Sequence, residues 1–174
     1  MRDKGPRMGD GVTDGRTERE AVDQIRSFEG SLPMLLLRAR EAVMLRFRPT
    51  LRAHDLTEQQ WRVLRALNTA AEMRVSDLSA LSFISMPSLS RILRSMEARG
   101  LLQRRVTEQD LRSTLISVTV AGRQVIRSVA PEAERAYAEI TAIFGGDRLD
   151  HLDAALRDLA SLLGIVPPAE GVEP

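Results

Sequence analysis

Residues 83–100 read FISMPSLSRILRSMEARG, and residues 101–123 read LLQRRVTEQDLRSTLISVTVAGR. Between these two stretches the apolar period changes from about 3.6 residues to 2. In the first, Leu89, Ile92, Leu93 and Met96 share one helical stripe, while Ser88, Arg91, Arg94 and Ser95 are left outside. Ser85 stands where an N-cap belongs, and Pro87 lies in the first turn, where a missing N–H does no harm. Gly100 ends the helix as a left-handed C′ residue. In the second stretch, Leu102–Val106 reads as a short strand. Thr114, Ile116, Val118 and Val120 alternate with Leu115, Ser117 and Thr119 in another. The polar connection TEQDLRS between them reads as a hairpin tip in solvent.

Upstream, residues 31–53 place Leu32, Leu36, Val43, Phe47 and Leu51 on one stripe, with Arg38, Glu41, Arg48 and Arg52 opposite. Pro49 is expected to kink or divide this helix. Thr57 caps a second helix, and the order T-E-Q-Q puts Gln60 at the capping-box position. A short helix follows at about 76–81, with cap chemistry from Ser76 and Asp77. Downstream, a long helix covers roughly 121–143, with a kink expected at Pro131 and a break at Gly145-Gly146. A final amphipathic helix carries Leu149, Leu152, Leu156, Leu159 and Leu163. Residues 1–29, Gly-rich and of mixed charge, read as a flexible arm, and 167–174 as a tail after Pro167-Pro168.

The order of helix, short helix, turn, Arg-bearing helix and two-stranded hairpin describes a winged helix-turn-helix over residues 56–120. The fold class is therefore mostly α, with residues 30–55 and 121–166 as terminal helices outside the winged core. A helix fits the major groove of B-DNA, provided its inner stripe holds it rigid and its outer face carries small polar residues and arginine. A hairpin tip beside it puts an arginine into the neighbouring minor groove, where negative potential concentrates. The candidate DNA contacts are Ser85, Met86, Ser88, Ser90, Arg91 and Arg94 on the helix. On the hairpin they are Arg105, Asp110 and Arg112, with Asp110 fixing the tip or the Arg112 guanidinium.

Charge supports this reading. The chain has 25 basic and 24 acidic residues, yet residues 131–174 hold three arginines against nine acids, which leaves 1–130 at +7. From 85 to 123 there are seven arginines and three acids, so non-specific affinity for nucleic acid should fall with salt. Lys4 is the only lysine, which either favours the bidentate chemistry of arginine or reflects a compositional bias of the source. No run of about 18 apolar residues crosses a membrane, and the charged N-terminus lacks the apolar core of a secretory signal. The absence of cysteine removes disulfides, thiol catalysis and Cys-ligated zinc, and fits a cytoplasmic protein.

The runs LTEQQWRVLRAL (56–67), MPSLSRILRSMEARGLLQRR (86–105) and TEQDLRSTLISVTVAGR (107–123) resemble the MarR (multiple antibiotic resistance regulator) family of transcriptional regulators, over roughly residues 31–164. The stretch LLLRAREAVMLRFRPTLRAHDLTEQQWRVLRAL (35–67) more narrowly resembles the branch that regulates homoprotocatechuate-degradation operons. The resemblance implies a homodimer built from terminal helices, one winged helix per protomer, and release from a DNA operator by a small aromatic carboxylate such as 4-hydroxyphenylacetate or homoprotocatechuate. Two features depart from the family pattern. Ser113-Thr114 follow D-x-R where a second charged pair is usual, and the arm is longer than typical.

The dimer also has a physical argument. Leu32, Pro33, Leu35 and Leu36, the stripe Leu152–Leu163, and Ile165 and Val166 lie outside the winged core and would expose a large apolar patch. Either a second protomer covers them or the terminal helices fold back on their own chain. For the effector, Arg40 shares the apolar stripe of the first helix, where a buried cation needs an anionic partner. That partner is either a ligand carboxylate, with Trp61 as aromatic wall and His54 and Met34 nearby, or an internal acid such as Glu29 or Glu58. Two functions compete with DNA-binding repression. An enzyme lacks support: His54 and His151 are not at metal-ligand spacing, Asp150, His151 and Asp153 read as a solvated face, and no nucleotide-binding or nucleophile motif occurs. No catalytic residue, metal or cofactor is assigned. A winged-helix protein–protein adaptor is the other, and the outward Arg and Ser pattern argues against it.

Overall fold

A computed structural model describes residues 27–107 and 110–165, without the side chains of residues 106–113. Most of the expected arm and the tail therefore lie outside the described residues. The elements are α1 (Leu32–Ala53), α2 (Glu58–Leu67), β1 (Met73–Arg74), α3 (Val75–Ser82), α4 (Met86–Ala98), β2 (Leu102–Thr107), β3 (Asp110–Val118), α5 (Val120–Phe144) and α6 (Gly146–Leu162). The chain divides into two units at Ala42/Val43, inside α1. In the first, a turn at Phe28–Gly30 leads into the helix, and Ser31 closes it by donating from Oγ to the Phe28 carbonyl at 2.9 Å.

The second unit is the winged helix with its flanking helices. Thr57 and Gln60 form the capping box that the sequence specifies: Thr57 Oγ1 accepts from the Gln60 N–H at 3.1 Å, and Gln60 Oε1 accepts from the Thr57 N–H at 3.0 Å. This satisfies two orphan donors at the start of α2. Its apolar face, Val63, Leu64 and Leu67, is fully buried against Leu78 of α3, Leu89, Leu93 and Met96 of α4, and Ile116 of β3. Each such side chain contributes about 1.5–3 kcal/mol on burial.

The sheet has strand order β1-β3-β2, all antiparallel. The two-residue β1 pairs Met73 with Ile116 and Arg74 with Leu115. The sequence reading missed this strand, because two residues carry no periodicity. The hairpin is longer than read. β2 reaches Thr107 and β3 begins at Asp110, with a register shift at Val106/Thr107. Backbone pairing continues through polar residues because the ladder is made by main-chain groups, whatever the side chains.

Three further expectations concern helix continuity and caps. Neither Pro49 nor Pro131 divides its helix. Phe47 and Leu51 are buried on either side of Pro49, and Val129 and Ala133 on either side of Pro131, while both prolines are exposed. Packing on the inner face thus holds each helix through its proline. α3 begins at Val75 with Arg74 as its N-cap and no side-chain cap. Ser76 bonds Asp77 instead, at 3.1 Å. Ser85 occupies the N-cap of α4 without closing it by its side chain.

A second small cluster joins α1 to α5. Phe47, Ala133 and Ala136 are buried together, and the Tyr137 ring meets Phe47 edge-on at 4.9 Å. Thr119 caps α5, accepting from the Gly122 N–H at 3.1 Å and donating to the Gly100 carbonyl at 2.6 Å. At Gly122 a Cβ would collide with the Leu101 carbonyl oxygen and the Val118 side chain. Gly122→Ala should therefore force α5 off the end of the sheet. A loss of about 2–3 kcal/mol is expected, read as a fall in Tm of roughly 5–10 °C by calorimetry.

Candidate nucleic-acid interface

α4 presents its candidates as expected. Leu89, Leu93 and Met96 are no more than 1% exposed, which fixes the rotation of the helix. Ser85, Met86, Arg91 and Arg94 are exposed, and Ser88 and Ser90 half-buried. Arg94 Nε donates to the Ser90 carbonyl at 3.3 Å, along its own helix. Arg91 makes no ion pair or hydrogen bond among the described residues. The turn before α4 is held by several bonds. Ser79 Oγ donates to the Ile84 carbonyl at 2.7 Å, and the Arg62 guanidinium, from α2, donates to the Ser82 carbonyl at 3.1 Å.

The sheet sorts the remaining arginines. On β2, Leu102 is buried opposite Val118, and Arg104 lies opposite Ile116 on the same inner face. There Arg104 Nε meets Glu97 of α4 at 2.8 Å. Arg105, opposite Leu115, points to the other face. It grips Glu72 with two bonds, Nε to Oε1 at 3.2 Å and Nη2 to Oε2 at 2.6 Å. That clamp spans β3 and ties β2 to the residue before β1. Arg99 donates to the Asp55 carbonyl at 2.8 Å, and Arg123 to the Val118 carbonyl at 2.7 Å. The side chains of Asp110 and Arg112 lie outside the described residues; their backbone is in β3. Glu72 escaped the sequence reading, because a contact 33 residues away leaves no local pattern, and Glu97 because its partner Arg104 lies on a different element.

The effector candidates separate by unit. In the first unit, Met34 is half-buried, and Arg40 has a 42% exposed side chain paired with Glu41 at 2.7 Å. The expectation of an inward Arg40 is corrected here. The half-buried arginine of α1 is Arg48, in the second unit, bonded to Glu58 at 2.6 Å, while Glu29 pairs with Arg38 at 3.6 Å. A carboxylate at the start of α2 draws in the arginine nearest to it, whatever the stripe. In the second unit, His54 Nδ1 lies 3.4 Å from Ser128 Oγ, and its Nε2 lies 3.8 Å from Glu132. Trp61 is half-buried against the core, and Arg65, which the sequence reading passed over, lays its guanidinium 5.9 Å above the indole. Among the described residues no group of His, Cys, Asp or Glu could hold a metal ion, and no helix is long and apolar enough to cross a membrane.

A rigid Arg- and Ser-faced helix, a helix-turn-helix before it and a wing behind it define a winged-helix DNA-binding regulator. The MarR family model matches residues 54–113, and the chain belongs to that family. It is 39% identical over 132 residues to the homoprotocatechuate degradative operon repressor of Escherichia coli, covering 76% of this chain and 89% of that protein. Among solved structures it resembles NadR in complex with 4-hydroxyphenylacetate (32% identity, TM-score 0.68, 78% of this chain and 96% of that one). It also resembles the transcriptional repressor CouR bound to a 23-mer DNA duplex (26% identity, TM-score 0.70, 79% and 99%).

The hydrogen bonds from Arg105 hold the Glu72 carboxyl below the usual carboxylate range. A depressed folded pKa means that the clamp's contribution is present above the unfolded value of 4.5 and is lost as pH falls through the folded one. Glu72→Gln should lower the protection of the Met73 and Ile116 amides at neutral pH, and acidification through the lowered Glu72 pKa, read as protection relative to the unstructured amide rate at each pH, should lower it in the wild type only. Equal exchange in both proteins at pH 7, by mass spectrometry, would show that the clamp does not hold the sheet.

Proposed function

We propose that the chain is a transcriptional repressor that binds a pseudo-palindromic operator as a homodimer and is released by a small aromatic acid. The observation that carries the DNA reading is α4: a fully buried inner stripe behind Ser85, Met86, Ser88, Ser90, Arg91 and Arg94. Of these, Arg91 is the cation with no described partner inside the protein. Arg91 reads a base edge, Arg94 and the serines contact edges or phosphates, and Arg112, steadied by Asp110, enters the minor groove from the wing. Arg105 serves chiefly to stiffen the wing and reaches phosphate as a secondary contact. The dimer is supported by apolar side chains left open on both terminal helices: Leu32, Leu35 and Leu36 on α1, Leu152, Leu156 and Leu163 at the other end. Two-fold pairing would set two α4 helices about 34–36 Å apart, one DNA turn. A dimer seated on a promoter blocks polymerase, and two of the similar proteins named above, the homoprotocatechuate operon regulator and CouR, are repressors. Such a protein works in the cytoplasm.

Fluorescence anisotropy with promoter fragments at two salt concentrations tests this. Arg91→Ala should cost about 1–3 kcal/mol and relax specificity at one base pair. Arg112→Ala should weaken all sequences alike and lower the salt slope by about one. No complex at low salt, or binding indifferent to salt, would remove the DNA reading in favour of an adaptor.

The effector is an aromatic carboxylate, with 4-hydroxyphenylacetate and homoprotocatechuate as the first compounds to try, given the ligand in the NadR structure and the operon in the relative's name. Trp61 supplies the aromatic wall with His54 in the second unit, and Arg40, with Met34 in the first unit, is the candidate carboxylate anchor that the sequence offers, one that must leave Glu41 to bind. Arg65 is a second anchor, favoured by its place over the Trp61 ring. The ligand shifts the equilibrium only by binding the DNA-incompetent state more tightly. Trp61 is the single tryptophan, so its emission reports on the site. Arg40→Ala should abolish both quenching by 4-hydroxyphenylacetate and release from DNA, while operator affinity stays within twofold. If Arg65→Ala alone does so, the anchor is Arg65.

A further inference from the structure

The first turn of α4 is apolar, whereas the outward face beyond it carries serine and arginine. Met86 is 47% exposed, the one exposed methionine among the described residues, and Pro87 beside it is exposed as well. Pro87 stands four residues before Arg91 and seven before Arg94, so the three share one stripe, and Met86 stands four before Ser90. Two buried residues hold the turn in this orientation, Ile84 before it and Leu89 after it. The Ile84 carbonyl accepts from Ser79 Oγ at 2.7 Å, and the Leu89 N–H donates to the Ser85 carbonyl at 2.8 Å.

This pair cannot bind DNA as the rest of α4 does. Neither side chain has a hydrogen to donate, and Pro87 lacks a backbone N–H as well. Ser85 makes no side-chain cap, and no carboxylate lies in the first turn. The end of the reading face is therefore a small, uncharged apolar surface with a fixed position. Base edges in the major groove offer hydrogen-bond donors and acceptors with one apolar exception, the 5-methyl group of thymine. A proline ring is pre-set in shape and a thioether chain is adaptable, so together they can enclose a methyl group. Helix initiation accounts for the proline. It does not account for a large apolar side chain beside it, on a face whose other members are serine and arginine.

We propose that Met86 and Pro87 pack on the 5-methyl group of a thymine in each half of the operator, and so make the N-terminal end of α4 selective for a T·A pair. This rests on the DNA reading above and names a base that the helix recognises. Four residues of helix rise about 6 Å, and base pairs stack about 3.4 Å apart. The thymine thus lies about two base pairs from the position that Arg91 reads.

Deoxyuridine tests this, because it differs from thymidine only by the missing methyl. The chain selects duplexes from a random pool, and the selected operator is remade with each thymine replaced in turn. Fluorescence anisotropy should show one thymine in each half-site whose replacement weakens wild-type binding about fourfold, the effect of losing one buried methyl. Met86→Ala and Pro87→Ala should each weaken binding to the thymine duplex, yet bind the doubly replaced duplex within twofold of the wild type. A disturbed helix would instead weaken both duplexes alike. If no single replacement changes wild-type affinity, the methyl contact does not exist, while Arg91→Ala still tests base reading by α4. If a replacement matters but both variants respond to it as the wild type does, another residue holds the methyl and the proposal is overturned. If selection enriches no sequence, base recognition itself fails, and the thymine contact with it.

Discussion

The burial of Leu89, Leu93 and Met96 is the constraint on which the rest depends. A helix meant to read an external surface has to be fixed in rotation. Three fully desolvated side chains at spacings of four and three, set against α2, α3 and β3, do that. Everything useful on α4 follows from the opposite face being left open. The bonds at the preceding turn, from Ser79, Ser82 and Arg62, then fix where the helix begins. The paired strands behind it are tied to the same helix through Arg104 and Glu97.

Electrostatics is the second layer, and it works by allocation. The local excess of arginine looks uniform along the chain, but carboxylates and carbonyls claim several of these side chains. Glu97 takes Arg104, Glu72 takes Arg105, and backbone carbonyls take Arg99 and Arg123. An arginine in a bidentate pair is a structural strut, since separating it from the carboxylate costs two charge-assisted bonds before any phosphate is gained. Arg91 has no such rival among the described residues. The distinction between strut and reader lies in which carboxylate the fold brings near, so equal residues acquire unequal roles.

The terminal helices show the opposite condition. α5 has a buried face toward the winged core and toward Phe47, whereas α6 has none. An amphipathic helix without a buried face is half of an interface.

The sequence by itself determined the order of elements, the capping box at Thr57 and Gln60, the two faces of α4, the hairpin and the family resemblance. All of these rest on local periodicity, cap chemistry and turn residues, which act over a few positions. Only the tertiary structure decided that Pro49 and Pro131 leave their helices whole, that β1 exists, that Arg48 and not Arg40 is the half-buried arginine of α1, and that Arg105 is clamped by Glu72. Each of these outcomes depends on a partner distant along the chain. Packing on both sides of a proline outweighs one lost hydrogen bond, and a carboxylate's nearest cation is set by how elements meet in space, which no periodicity within a segment encodes.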